Sequence, residues 1–220
     1  MKNISFSLFN IFSILSIIIL IIIIIAPFNL INLEQAQRIA KWKSEYENVK
    51  YSLELVNLHE GSIIPLQEEV EKVISEAFIW ERILPYMNVN MQQPDYIKGY
   101  RYRKMNGTLV NKTGRYFFDK FVKTKNGVIL GLNENKQEIT GENIPLYYMY
   151  VDINGEEKPN RIGQDIFFLN IYRNKVSAVG QGRTHAVMKA DCSPIGRGVY
   201  CSEYYLLGSS LWFELRACSW

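Results

Sequence analysis

Apolar and polar positions along the 220-residue chain fall into three regimes. From Ile4 to Ile31 the chain is an apolar run without a single Asp, Glu, Lys, Arg or His, and its centre is the isoleucine block Ile17 to Ile25. A helix needs about 20 apolar residues to cross the hydrocarbon core of a bilayer. The run therefore predicts a transmembrane anchor over residues 1–32, with the lipid bilayer as its partner through residues 4–31. In the second regime Ile39, Trp42, Tyr46, Val49, Leu53 and Val56 recur at steps of three and four, with Lys41, Lys43, Glu45, Glu47 and Lys50 off the stripe. That spacing is the signature of an amphipathic helix. One long helix over 4–58 is expected, kinked where Pro27 removes a backbone donor. The stripe is too short for a coiled coil and is expected to pack on the protein's own sheet. A second helix is predicted from Leu66 to Leu84, ended by Pro85.

From Tyr96 the period shifts to two and turn residues multiply, with Asn106-Gly107, Asn126-Gly127 and Arg173-Asn174 between β-rich runs. Strands are predicted near 97–104, 114–123, 128–132, 146–152, 166–172 and 175–180. The expected fold class is α+β: a long N-terminal membrane-spanning helix that continues as an amphipathic spine packed on an antiparallel sheet. About 190 residues after the anchor suit one domain, 33–220.

A cleaved secretory signal has a shorter apolar core and a small-x-small cleavage site. Here Pro27 follows Ala26 and Ile24 stands where a second small residue belongs, so the run reads as an uncleaved anchor. The charges flanking it are mixed and orient it weakly. All three cysteines, Cys192, Cys201 and Cys218, fall in the last 29 residues. Cys192 and Cys201 can close a short loop in an oxidising exterior, or all three remain reduced.

Candidate chemistry is sparse. Residues 98–125 hold nine Lys or Arg against one acid, Asp119, with six Tyr or Phe among them. Cations neutralise phosphates and rings stack on bases, so Arg101, Arg103, Lys104, Arg115 and Lys120 are candidate contacts to nucleic acid or an anionic glycan. The competing reading is a half-buried hairpin, Tyr100 and Tyr102 facing one way and Arg101 and Arg103 the other. A chain of only +3 net charge favours the latter. The loop Asp152 to Asp165 offers oxygen ligands of the kind calcium takes, through Asp152, Asn154 and Asp165. It is not an EF-hand, because Gly155 falls at the fourth place and Gly163 stands where a bidentate Glu is needed; an ordered turn uses the same residue types. Only two histidines exist, His59 and His185, and no zinc spacing, nucleophile elbow or phosphate loop is found. No catalysis and no obligatory cofactor are expected.

The layout and one motif resemble a known family. Val151-Asp152-Ile153-Asn154-Gly155, then Pro159-Asn160, Gly163 and Asp165-Ile166-Phe167-Phe168, is similar to the D-x-N-G, P-N, G-x-D-x-F pattern near the C-terminus of type IV pilins and type II secretion pseudopilins. In such relatives a cysteine pair can pin the end of the sheet, and Cys192 and Cys201 occupy the matching place. The resemblance implies a bacterial, membrane-anchored envelope protein with its N-terminus cytoplasmic and its C-terminal domain extracytoplasmic. It implies a structural, assembly or surface-interaction role, with other pilin-like, pilus or secretion-assembly proteins as partners. The chain departs from the family at its start, where a basic leader and a Phe-Thr-Leu-x-Glu segment are replaced by Met1-Lys2-Asn3 and a run without Glu. An accessory or divergent component is therefore expected, rather than a major fibre subunit. The alternative is a tethered module that binds nucleic acid or anionic polysaccharide through 98–125.

Overall fold

The computed structural model describes residues 8–66, 75–91, 95–98, 100–111, 116–118, 120–135 and 144–208, with side chains except at 8–12, 22–32, 95, 96 and 98. Helix α1 runs from Leu8 to Glu60. The chain divides into two compact units, Met1–Gln37 and Arg38–Trp220.

The first unit corrects the sequence expectation. Among the described residues no helix is long and apolar enough to cross a membrane, so the membrane-spanning helix of the expected fold class and the single-pass placement are overturned. From Leu33 onward the helix carries Glu34, Arg38 and Lys41, charges that are costly to place in hydrocarbon.

In the second unit the predicted stripe is the buried one. Trp42, Val49, Leu53 and Val56 are buried, and Ile39 and Tyr46 pack at the edge of the same cluster. Helix α2, Glu76–Ile83, is capped by Ser75, whose Oγ accepts from the Phe78 N–H at 3.2 Å. A 3₁₀ turn, Leu84–Tyr86, follows, with Pro85 in its first turn. The earlier part of the predicted second helix, 67–74, lies outside the described residues.

Six antiparallel strands form one meander in chain order. They are β1 (Asp95–Lys98), β2 (Lys120–Lys123), β3 (Ile129–Glu134), β4 (Tyr147–Asp152), β5 (Ile166–Ile171) and β6 (Val176–Ala178). The turn between β2 and β3 is the predicted Asn126-Gly127. Gly127 takes φ +82°, and Thr124 and Val128 close the loop by a backbone bond of 2.8 Å, a three-residue connection that needs a left-handed third residue. Residues 100–104 are not strand. Arg103 makes isolated bridges to Leu109 and Arg161, and the chain turns back at Gly107, φ +83°.

Both faces of the sheet are covered. One face sends Val122, Leu130, Leu132, Met149, Val151, Phe167 and Leu169 against α1 and α2. The other sends Phe121, Ile129, Tyr148, Tyr150, Ile166 and Phe168 against Tyr102, Phe118, Val179 and Val199. This double burial explains why β4 and β5 read as almost continuous apolar runs, since a face without water needs no polar alternation. Two short helices that the sequence reading did not anticipate close the unit, α3 (His185–Asp191) and α4 (Cys201–Leu206).

Candidate functional site

The loop from Asp152 to Asp165 leaves the end of β4 and re-enters the sheet at β5. Register dictates its closure, because Asp152 pairs with Ile166 across the two strands. Both carboxylates are fully buried. Asp165 accepts the backbone N–H of Asn160 at 2.7 Å and of Arg161 at 2.6 Å, while its own carbonyl accepts the Ile153 N–H at 2.9 Å. Asn154 donates Nδ2 to the carbonyls of Glu157 and Lys158. Asn160 adopts φ +50° and the Lys158–Pro159 peptide is cis; Asn is among the residues that tolerate the left-handed region. The loop is thus a latch in which side chains substitute for absent backbone partners.

Asp152 sits under a cap of phenols. Its Oδ2 accepts from the Tyr100 hydroxyl at 2.7 Å and the Tyr150 hydroxyl at 3.1 Å, and Oδ1 accepts the Asn154 N–H at 3.1 Å. Tyr100 Oη also lies 2.8 Å from the Gly155 carbonyl and 2.8 Å from Asn160 Oδ1. One hydroxyl proton serves one acceptor at a time, so the cluster is rich in acceptors and short of protons. Burial, which disfavours charge, pushes the Asp152 carboxyl up to about 7. Burial raises Asp165 as well, against the pull of its backbone donors. The Tyr100 and Tyr150 hydroxyls are raised by burial first and by the neighbouring Asp152 charge second.

The calcium expectation meets this geometry directly. Calcium takes 6–8 oxygens, whereas both carboxylates are committed to protein donors and Asp152 Oδ2 already receives two hydroxyls. No group of three or more His, Cys, Asp or Glu able to hold a metal occurs among the described residues. Asn154 Oδ1 is the one oxygen of the three candidate ligands that is buried with no hydrogen-bond partner. The residues fit a hydrogen-bonded latch better than a cation cage.

Cys192 and Cys201 form a disulfide with Cα atoms 5.1 Å apart. It fastens the start of α4, and α4 fastens much else. Ser202 Oγ accepts the Phe168 N–H at 2.9 Å, and the Ser202 carbonyl accepts Trp42 Nε1–H at 2.9 Å. A residue of α4 therefore ties β5 to α1. Asp191 is buried at the end of α3, where its carboxylate accepts Arg197 Nε–H at 3.0 Å and the Tyr200 N–H at 2.8 Å. Neither Ser202 nor Asp191 carries a motif by which sequence could single it out. Cys218 lies outside the described residues.

The basic segment is divided by the fold. Tyr102, Phe118 and Phe121 are buried and Tyr100 and Tyr116 pack against the same cluster, so these rings are core and not a stacking platform. Arg101 and Arg103 are exposed and Lys104 and Lys120 half-exposed; Arg115 lies outside the described residues. Arg103 also bonds the Gly107 carbonyl at 2.9 Å. The alternation expected of a half-buried hairpin is what residues 100–103 show, without a regular strand. Cations distant in sequence join this surface. Arg161 is bridged to Arg103, the Arg197 carbonyl accepts the Met105 N–H at 3.1 Å, and Arg183 and Arg197 each lie 5.8 Å from the Tyr200 ring centre.

No family model matches the chain, and neither a curated protein nor a solved structure does.

Proposed function

We propose that this protein is a non-catalytic structural subunit of a pilin-like kind, acting by assembly with further copies or related chains. The observation that carries the reading is the contrast within α1. Between Arg38 and Glu60 its apolar stripe is buried against the sheet of the same chain. Between Ile14 and Ile21 the apolar side chains each leave 48–61% of their surface exposed. A helix that is hydrophobic on every face is stable only when something covers it, and in this reading like helices of neighbouring copies do so. The D-x-N-G, P-N, G-x-D-x-F motif supports the pilin-like part through its role in latching β4 to β5. Sedimentation velocity of the full chain tests the proposal: a defined oligomer that shifts toward monomer in Ile18→Glu is expected. A monomer at every concentration would sink it.

A second reading, a binding module for nucleic acid or an anionic polysaccharide, draws on the gathering of Arg101, Arg103, Arg161, Arg183 and Arg197. The burial of the aromatic rings weighs against base stacking. Retention on immobilised DNA that falls steeply with salt would favour this second reading.

A further inference from the structure

The loop between α3 and α4 presents one apolar side chain outward. Ile195, at its tip, is 87% exposed. The loop beneath it is held in place: the disulfide closes its base, Gly198 N–H donates to the Asp191 carbonyl at 2.8 Å, and Asn106 N–H donates to the Gly196 carbonyl at 3.1 Å. A side chain cannot replace the Gly196 hydrogen, because a Cβ there would run into the Asp191 carbonyl. A tip ordered in advance gives up little conformational freedom on docking. Its surroundings are basic. Segments 100–111, 160–165 and 181–200 contain Arg101, Arg103, Lys104, Arg161, Arg183, Lys189 and Arg197, while their two acids, Asp165 and Asp191, are both buried.

A recess of matching character lies elsewhere on the same unit. Between α1 and the β2–β3 turn runs an open groove of about 260 Å³. Its floor is Val49, Met87, Val128 and Leu130, its rim is mostly Asn, Ser and Thr, and its one charged lining residue is Glu45. The groove and the loop share no residue, so one copy can offer both at once.

We propose that the Ile195 tip of one copy seats in the α1/β2–β3 groove of the next, with the basic residues around the tip facing Glu45. Such a contact is heterologous, joining two different patches, and it propagates head to tail instead of closing into a two-fold dimer. The inference rests on the assembly reading and names one of its surfaces. Ile195 is the apolar anchor, and the cations select orientation by their pairing with Glu45 at the rim.

The test is zero-length carbodiimide coupling of carboxylates to lysines in a mixture of ¹⁵N-labelled and unlabelled full-length chains. Mixed-isotope links between the Glu45 peptide and the Lys104 or Lys189 peptide are expected. They should fall about tenfold or more in Ile195→Asp, which removes the tip, and in Ser52→Trp, which fills the groove. Mixing those two variants under different labels should restore the link in one sense only, from Glu45 of the Ile195→Asp copy to lysine of the Ser52→Trp copy. That directional rescue would be absent if either variant were merely misfolded. Assembled chains that give no such link, or links indifferent to Ile195→Asp, would overturn the contact and leave the assembly reading standing. A full chain that is monomeric throughout would overturn both.

Discussion

The two faces of the sheet are equally buried but built on different principles. The face under α1 and α2 is mainly aliphatic, with Leu53, Val56, Leu132, Met149 and Leu169 around Trp42. Its order comes from a helix whose period matches a stripe of apolar residues. The opposite face is aromatic, and Tyr100, Tyr102, Phe118, Phe121, Tyr150 and Phe168 lie with ring centres 5.0–6.5 Å apart wherever they pair. No helix covers it. Irregular chain at 100–111 and 116–118 does, and it is held by phenol hydroxyls: Tyr102 donates to the Tyr116 carbonyl at 2.6 Å and accepts the Phe118 N–H at 3.1 Å. A helix satisfies its own backbone, so its cover needs only apolar contact. A loop does not, and its cover must bring hydrogen-bond partners into the core.

The comparison can be broken most sharply on the helix side. Trp42 is fully buried, stacked on Phe167 at 4.4 Å, and bonded to the Ser202 carbonyl. Trp42→Ala is expected to cost about 3–5 kcal/mol in urea denaturation, by cavity formation. Trp42→Phe keeps a ring and loses the bond, at about 1–2 kcal/mol. Equal losses in the two variants would mean that the hydrogen bond, and not packing, dominates there.

On the loop side the largest effect is expected from pH. The Asp152 carboxyl, raised by burial to about 7, binds its proton more tightly when folded than when unfolded. Its contribution is therefore present below the unfolded pKa near 4 and is lost as pH rises through about 7. Between pH 5 and 8 the wild type should lose about 2–3 kcal/mol from this group. Asp165 and Glu203, raised in the same direction by burial, leave a slope of the same sign behind. Denaturation midpoints for wild type and Asp152→Asn across that range check the prediction. Parallel curves would show that Asp152 does not carry it.

The smallest of the three effects is expected at Tyr102, where Tyr102→Phe preserves the ring and strips both hydrogen bonds. A loss of about 1–2 kcal/mol is expected, since the Tyr116 carbonyl and the Phe118 N–H both lose the Tyr102 hydroxyl. Hydrogen exchange should then quicken at Phe118 while β3 and β4 stay protected. A global acceleration would show that the loop cover and the sheet unfold as one.

Residues determined by local rules were legible in the chain. The α1 stripe from Ile39 to Val56, the Asn126-Gly127 hairpin and the positions of β3 to β6 follow from period and turn chemistry, which act over a few residues. The Cys192–Cys201 pair was open in the sequence and is closed in the structure. The length of the apolar run suggested a membrane-crossing helix that the described structure does not contain. Composition set out the acids and amides of the 152–165 loop without their use; only the packing of Tyr100 and Tyr150 over Asp152 made it a buried latch. The aromatic residues of 100–121 gave no sign of which side water would lie on, because alternation is the same for a binding strand and a core-facing loop. The ties from Ser202 to Phe168 and Trp42 span 34 and 160 residues of chain. Local pattern sets which segments become helix or turn. Which distant side chains share a core, and which carboxylates lose their water, is decided only when the elements pack.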